Sequence, residues 1–259
     1  MSDMHRLLPC RAGRDKMRVM TIWPAPLRYA VDFALPPRCP GCGCVQASAD
    51  AFCQSCWAQI VFLAAPWCSL CGLPFEHEVP GEPLCGACLA DPPRYDLLRS
   101  AVSYGGLSAD LVLKLKYSRG LGAARMMAGH MARLLPDPPK DLLVTPVPLH
   151  WTRLFARTYN QSVLIGAALA RRLDRPFHPA LLRRTRRTPP LRGLGAKARA
   201  RAVQGAFALS ERQRERVEGR ALLLVDDVHT SGATSAACAA LLKRRGARWV
   251  GVVAWARVL

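Results

Sequence analysis

The chain has 259 residues, of which 51% are hydrophobic, and it carries a formal net charge of +19. This length suits one medium-sized domain with a smaller one, and the apolar fraction is enough to bury a core. No apolar run reaches the roughly 18 residues that cross a bilayer, and the N-terminus has no secretory signal pattern, so a cytoplasmic protein is predicted. The charge favours an anionic partner, such as nucleic acid, a membrane surface or a phosphorylated substrate, although an arginine-rich solvated surface has the same composition.

The cysteines are concentrated in one segment near the N-terminus. Nine of the eleven lie between Cys39 and Cys88. Thiols in a reducing compartment favour metal ligation over disulfides, and two C-x-x-C pairs per ion predict two structural zinc sites of four thiolates each. Crossed pairing of the four pairs and replacement of one ligand by Cys44 both stay open. The predicted ligands are Cys39, Cys42, Cys53, Cys56, Cys68, Cys71, Cys85 and Cys88.

A change of pattern at Pro92-Pro93 divides the chain. We predict an N-terminal extension over 1–30, a cysteine-rich zinc module over 31–92 and an α/β domain over 93–259. In the third part, short apolar runs alternate with helical periods, which is typical of a parallel sheet flanked by helices. The predicted elements are strand Ala101–Tyr104, helices Leu107–Tyr117 and Ala123–Leu135, strand Leu142–Thr145, helix Gln161–Leu173, strand Ala221–Val225, helix Ala233–Arg245 and strand Trp249–Ala254.

The stretch after the strand Ala221–Val225 has the pattern of an anion site. Two acids, Asp226 and Asp227, are followed by a turn of small residues and then by a helix. Backbone N–H groups at such a helix start converge on a phosphate, and paired carboxylates suit ribose hydroxyls, directly or through Mg²⁺. The residues expected around the phosphate are Thr230, Ser231, Gly232, Ala233 and Thr234.

This stretch resembles the signature with which type I phosphoribosyltransferases bind 5-phosphoribosyl 1-pyrophosphate (PRPP). The G-x-x-x-x-G-K-[ST] loop of a nucleotide triphosphatase and the G-x-G-x-x-G of a dinucleotide fold do not occur in the sequence. The resemblance implies that Asp226 and Asp227 take part in catalysis and that Mg²⁺ accompanies PRPP. It also implies a pyrophosphate loop after an earlier strand, which we assign to Val147 and Pro148, with Arg157 near it.

Further stretches of the chain carry a recognisable pattern: Pro36 to Gly43, Cys71 to Pro74, Leu115 to Tyr117, Val147 to Pro148, Arg157 to Gln161 and Gly205 to Phe207. On these stretches the chain from about residue 30 resembles the ComF family, whose members join a double zinc ribbon to a phosphoribosyltransferase domain. Thr158, Leu191 and Ala202 depart from residues that are common in the family. The resemblance implies a role in DNA uptake during natural transformation, with single-stranded DNA and a competence helicase or translocase as partners.

A basic run without acids, from Arg183 to Arg201, could contact several phosphates of a nucleic acid. It could equally be a solvated loop or a lid over pyrophosphate. Two functional hypotheses follow: an enzyme that transfers phosphoribosyl to an unknown acceptor, or a non-catalytic zinc-ribbon protein that binds single-stranded DNA. His229 is a weaker candidate for a general base. The nucleic-acid candidates are Arg183, Arg184, Arg186, Arg187, Arg199 and Arg201.

Overall fold

The computed structural model describes residues 36–48, 50–117, 121–149, 160–186 and 196–259, and those from 37 onward belong to one compact unit. A 3₁₀ helix, Glu211–Arg216, precedes the fifth strand. The strands are β1 (Leu97–Ser103), β2 (Leu143–Pro146), β3 (Leu182–Arg184), β4 (Phe207–Leu209), β5 (Ala221–His229) and β6 (Trp249–Arg257). The helices are α1 (Gln54–Trp57), α2 (Gly86–Ala90), α3 (Gly106–Tyr117), α4 (Leu121–Ala132), α5 (Gln161–Leu173), α6 (Ala196–Val203) and α7 (Ala233–Arg244).

The central sheet has four parallel strands in the order β1-β6-β5-β2. Leu222 of β5 lies opposite Leu143 of β2 on one side and Val250 of β6 on the other. The first five residues of β5 are all buried, as expected for a strand covered on both faces of a sheet. Because parallel strands end at one edge, the end of β2 and the acids of β5 reach the same edge, with Pro146 opposite Val225.

Alternate residues of β5 belong to different halves of the core. Leu223 and Val225 pack with α4, α5 and Trp255 of β6 on one face. Leu222 and Leu224 pack with α7 on the other face. Full burial of one such side chain contributes about 1.5–3 kcal/mol to folding, so both faces of the sheet stabilise the strand that leads into the two acids.

The two edges of the sheet are covered by neighbouring chain. Leu63 N donates to Ala101 O and Ser103 N donates to Val61 O, so a segment of the cysteine-rich region lies along β1. On the opposite edge, His178 N donates to Val144 O. Covered edges prevent strand pairing with other molecules. The cysteine-rich region therefore protects the β1 edge of the sheet.

The α/β class, the parallel sheet with flanking helices and the cysteine-rich N-terminal region are as predicted. Among the described residues, no helix is long and apolar enough to cross a membrane. The predicted limits 1–30, 31–92 and 93–259 stay predictions, and residues 1–35 lie outside the described part of the chain.

Several elements differ from the predictions, among them β1, which begins at Leu97 rather than Ala101, and β6, which continues to Arg257 rather than ending at Ala254. β5 continues past Val225 through both acids to His229, because Asp226 pairs with Ala254 and His229 pairs with Arg257 of β6. The antiparallel pair of β3 and β4 was not predicted, since strands of three residues are too short to show a period. Helix α6 was not predicted either, because its eight residues are mostly alanine and basic residues without an apolar stripe.

Candidate functional site

The first half of the cysteine-rich segment brings five thiols together. The sulfurs of Cys39, Cys42, Cys44 and Cys53 all lie within 4.8 Å of one another, and Cys42 Sγ is 3.6 Å from Cys53 Sγ. Two sulfurs bound to one tetrahedral zinc at about 2.3 Å would be about 3.8 Å apart, so the donor set fits this ion. Cys56 adjoins the set and interacts with Cys39, Cys42 and Cys53. Cys44 and Cys56 are therefore both candidates for the fourth ligand.

The second half of the segment forms a separate cluster of four thiols, all buried. Cys71 Sγ lies 3.6 Å from Cys85 Sγ. The backbone N–H groups of Cys71 and Cys85 donate to Cys68 Sγ at 3.5 and 3.3 Å, as they would to a thiolate. Cys88 completes the set. Each cluster is thus built from consecutive C-x-x-C pairs, and the arrangement fits two structural zinc sites.

Two arginines lie against the second cluster. Arg257, buried at the end of β6, donates to Cys71 O, and its other terminal nitrogen is 3.8 Å from Cys71 Sγ. Arg99 donates to Ser69 O at 3.0 Å, and its guanidinium lies 4.8 Å from the centre of the Trp67 ring. Zinc with four thiolates has a net charge of −2, which two guanidinium groups offset.

The two predicted acids lie together at the sheet edge. Ser162 Oγ of α5 donates to Asp226 Oδ1 at 3.3 Å, and Asp227 N donates to the same oxygen at 2.9 Å. Asp227 Oδ1 accepts from Val228 N at 2.8 Å. Burial, followed by the neighbouring Asp227 carboxylate, raises the pKa of Asp226 well above its ordinary value. A cation or a pair of hydroxyl donors at this point would stabilise the ionised form.

The turn after β5 is built around Gly232. This residue has a φ of 71° and precedes α7 without a cap from a described side chain. A Cβ at this position would lie 2.7 Å from His229 Cε1, so the close packing requires glycine. The first N–H groups of α7 point out of the helix toward a small cavity lined by Asp226, Val228 and residues 229–235. Such a helix start attracts an anion.

His229 is buried, and its Nδ1 has no hydrogen-bond partner among the described residues. Burial, followed by the charge of Arg257, lowers the pKa of His229 to about 3. The imidazole is therefore neutral at pH 7 and packs against Gly232. Its position favours a role in shaping the turn over a role as a general base. Cys238 of α7 is also fully buried, and it packs there as a small apolar side chain.

The segment predicted to hold pyrophosphate follows β2 at Val147 and Pro148. Asn160 Nδ2 donates to Val147 O at 3.1 Å, and Asn160 Oδ1 accepts from Ser162 N at 3.0 Å. Asn160 thereby caps α5 and ties this helix to the end of β2. Since Ser162 reaches Asp226, a continuous set of hydrogen bonds joins the predicted pyrophosphate segment to the acids.

The arginines predicted to contact nucleic acid differ in their exposure and contacts. Arg183 and Arg201 are exposed, and Arg186 donates to Gln204 O at 2.8 Å. Arg184 is buried and lies 5.4 Å from the centre of the Phe207 ring, so it does not form part of an exposed basic surface. The predictions for Arg157, Arg187 and the side chain of Arg199 lie outside the described residues.

Sequence reasoning missed three residues that shape these sites: Asn160, Ser162 and Arg257. An asparagine before a helical period is a capping signal, so Asn160 could have been identified. Ser162 becomes informative only once α5 is placed beside β5. Arg257 ends an apolar strand, and nothing in its neighbours along the chain points to Cys71.

Comparison with known proteins places this arrangement in a family. Residues 30–89 match the double zinc ribbon domain. The DNA utilization protein YhgH of Escherichia coli K12 is 34% identical over 200 residues, which cover 74% of this chain and 84% of that protein. The chain belongs to the ComF/YhgH family. Competence protein F of Haemophilus influenzae is 29% identical, over 85% of this chain and 96% of that protein.

The ComF/YhgH assignment confirms the family resemblance seen in the sequence. Among solved structures, an adenine phosphoribosyltransferase from Thermoanaerobacter pseudethanolicus is similar to 54% of this chain and 82% of its own length, with 18% identity and a TM-score of 0.35.

Proposed function

We propose that the sheet edge formed by β5, α7 and the end of β2 binds PRPP together with Mg²⁺. The observation that carries this proposal is the direct succession of two acids, a Gly232 turn and an uncapped start of α7 at one edge of a parallel sheet. The first N–H groups of α7, with the hydroxyls of Thr230, Ser231 and Thr234, would bind the 5-phosphate. Asp226 and Asp227 would bind the ribose hydroxyls.

The pyrophosphate group of PRPP would lie toward Val147 and Pro148. Asn160 fixes that segment and, through Ser162, the position of Asp226. Bound Mg²⁺ would neutralise charge on the departing pyrophosphate. Transfer to an acceptor breaks the C1–O bond to pyrophosphate and forms a bond from C1 to the acceptor nucleophile. We propose that this activity serves DNA uptake, since relatives of the chain are named for DNA utilization and competence.

A second candidate function is non-catalytic: the protein would bind single-stranded DNA through its zinc ribbons and a phosphoribosyltransferase-like fold. The net charge of +19 and the exposed Arg183 and Arg201 favour it. The two candidates differ in whether the acids are needed, because carboxylates contribute nothing to phosphate-backbone binding.

The test is calorimetric titration of zinc-loaded protein with PRPP and Mg²⁺, beside the Asp226→Asn/Asp227→Asn double variant. A matched control removes two exposed acids, in the Asp91→Asn/Asp137→Asn variant. We expect saturable binding to the wild type and the control, and none to the double variant. A folded wild type that binds a single-stranded oligonucleotide but not PRPP would overturn the enzyme proposal and support the second candidate.

A further inference from the structure

The first cysteine cluster holds one thiol more than a tetrahedral zinc site needs. Four of its sulfurs lie within 4.8 Å of one another, and Cys56 interacts with three of them. Zinc in a thiolate site takes four ligands, so one thiol of the five is left over. The second cluster has four members and no such surplus. The five thiols of the first cluster are Cys39, Cys42, Cys44, Cys53 and Cys56.

Two of these five thiols face solvent. Cys42 and Cys44 are exposed. Cys39 and Cys56 are buried, with 2% and 3% of their surface exposed. A cysteine that binds zinc is a thiolate at neutral pH, because the metal displaces the thiol proton. Thiolates that solvent reaches are the sulfurs that peroxides oxidise. Cys42 combines ligation with exposure, and its exposed neighbour Cys44 lies two positions further along the chain.

The turn between Cys42 and Cys44 leaves room for their sulfurs to meet. The two sulfurs lie within 4.8 Å of each other, and a disulfide needs about 2.05 Å. Gly43, the residue between them, has a φ of 81°, and a Cβ at this position would have no neighbour within 4 Å. The sulfurs can therefore approach through a movement of the turn. A bond from Cys42 to Cys53 would instead pull on α1, whose N-cap is Cys53.

The second cluster lacks both features. Its four cysteines are between 0% and 7% exposed, and all four are needed to complete one zinc site. Peroxide reaches buried sulfurs poorly, and a sulfur oxidised in this cluster would have no surplus thiol beside it. The two clusters of the same chain therefore differ in the properties that make a zinc site sensitive to oxidation, and the second is an internal control for the first.

We propose that Cys42 and Cys44 form a peroxide-sensitive modification site that releases the zinc of the first cluster. The Cys42 thiolate attacks a peroxide oxygen, the O–O bond breaks, and hydroxide leaves as Cys42 becomes a sulfenic acid. The Cys44 sulfur then attacks the Cys42 sulfur, the S–O bond breaks, and the hydroxyl leaves as water with the Cys44 proton. The two sulfurs have given two electrons to peroxide and are joined in a disulfide.

The disulfide leaves three thiols in the first cluster, Cys39, Cys53 and Cys56, whichever thiol was left over before. One zinc ion then lacks a full set of ligands and is lost to a competing chelator. Zinc loss would also loosen the contact with α3, because Lys114 of that helix donates to Gly41 O in the first turn of the cluster. A dithiol reductant reverses the bond by thiol–disulfide exchange.

Release of zinc into a chelating dye tests the proposal on the full-length, zinc-loaded protein. Hydrogen peroxide in small molar excess should release one of the two zinc ions and leave the other bound. Addition of a dithiol and zinc should restore the first site. Release of both ions at the same rate, or of neither, would overturn the proposal.

Mass spectrometry of the oxidised wild type locates the bond. Cleavage of the chain before Asp50 separates the peptide that contains Cys42 and Cys44 from the peptide that contains Cys53. We expect a disulfide within the first peptide. A disulfide that joins the two peptides would overturn the role of Cys44.

Two variants with the same number of thiols separate the role of Cys44 from simple thiol count. Cys44→Ser and Cys56→Ser each leave four thiols, so each should load two zinc ions. Peroxide should release zinc from Cys44→Ser at least about tenfold more slowly than from the wild type, because oxidation stops at the reversible sulfenic acid. Cys56→Ser keeps the exposed pair and should release zinc at least as fast as the wild type. Equal rates in the two variants would contradict the proposal.

Cys42→Ser gives a further measurement that changes no buried cysteine. It also leaves four thiols, and it removes the sulfur that peroxide attacks, so its first site should resist peroxide as that of Cys44→Ser does. Rapid zinc release from Cys42→Ser would place the oxidised sulfur elsewhere and overturn the proposal. The measurements use neither PRPP nor DNA, so their outcome is independent of the proposed function.

Discussion

The two cysteine clusters use the same C-x-x-C spacing in opposite surroundings. In the first, Cys42 and Cys44 are exposed and five thiols compete for four positions. In the second, all four thiols are buried and two arginines lie against them. The first packs with the α4 and α5 face of the sheet and the second with the α7 face. Spacing selects the metal, whereas burial and counter-charge decide how strongly the fold depends on it.

Cys88→Ser should have the largest effect. It removes one of four ligands from the buried cluster, where metal binding supplies about 10–16 kcal/mol in small zinc domains. We expect loss of one zinc per chain and failure to fold at 37 °C. Cys42→Ser in the first cluster should keep two zinc ions, because Cys44 and Cys56 leave four thiols. Measurements of zinc content and of thermal unfolding test the two variants. Equal zinc loss in both would show that the first cluster has no spare ligand.

Arg257→Gln should cause the next largest loss of folding stability. Removal of one partner from a buried charged set costs about 3–5 kcal/mol, because the other charge is left uncompensated. The matched control is Arg245→Gln, which breaks an exposed pair with Glu211 and should cost less than about 1 kcal/mol. Denaturant unfolding of zinc-loaded protein gives both values. A cost for Arg257→Gln as small as that of the control would show that the buried cluster needs no counter-charge.

Asp226→Asn tests the complementary situation, a part-buried carboxylate whose contacts among the described residues are a serine hydroxyl and a backbone N–H. Because the pKa of Asp226 is raised in the folded state, the folded protein binds this proton more tightly than the unfolded chain does. The wild type therefore loses stability as pH rises from the unfolded value, about 3.9, through the folded one. The variant should have a higher Tm at pH 7, by about 2–4 °C for each kcal/mol.

The difference in Tm between the wild type and Asp226→Asn should vanish below about pH 4, where both side chains are uncharged. Thermal scans of the two proteins across pH, without PRPP or Mg²⁺, measure it. A variant that is less stable than the wild type at pH 7 would mean that Ser162 and the backbone compensate the charge fully.

The smallest effects should come from Cys44→Ser and Cys56→Ser as single changes. Each leaves four thiols in the first cluster, so zinc content should stay at two and the stability should change by less than about 1 kcal/mol. The double variant leaves three thiols and should lose one zinc. A single variant that already loses zinc would identify its cysteine as the fourth ligand and exclude the other.

The parts of the fold that repeat a short pattern could be predicted from the chain. Helix α5 was predicted with its observed limits, and the apolar start of β5 was predicted as a strand. The four C-x-x-C pairs and the two acids also stand out in sequence. What could not be predicted depends on contacts between distant segments. Arg257 reaches Cys71 across 186 positions, and β5 extends through its acids only because β6 pairs with them.

The strand β6 is the last element of the chain, yet it lies inside the sheet between β1 and β5. During synthesis, the ribbons and the acids of β5 therefore emerge before the strand that joins them. Until residues 249–257 pair, β1 with its attached cysteine clusters has no partner in the sheet, and Arg257 cannot reach Cys71. Placement of Arg257 against the second cluster and extension of β5 through its two acids then depend on one late event, the pairing of β6.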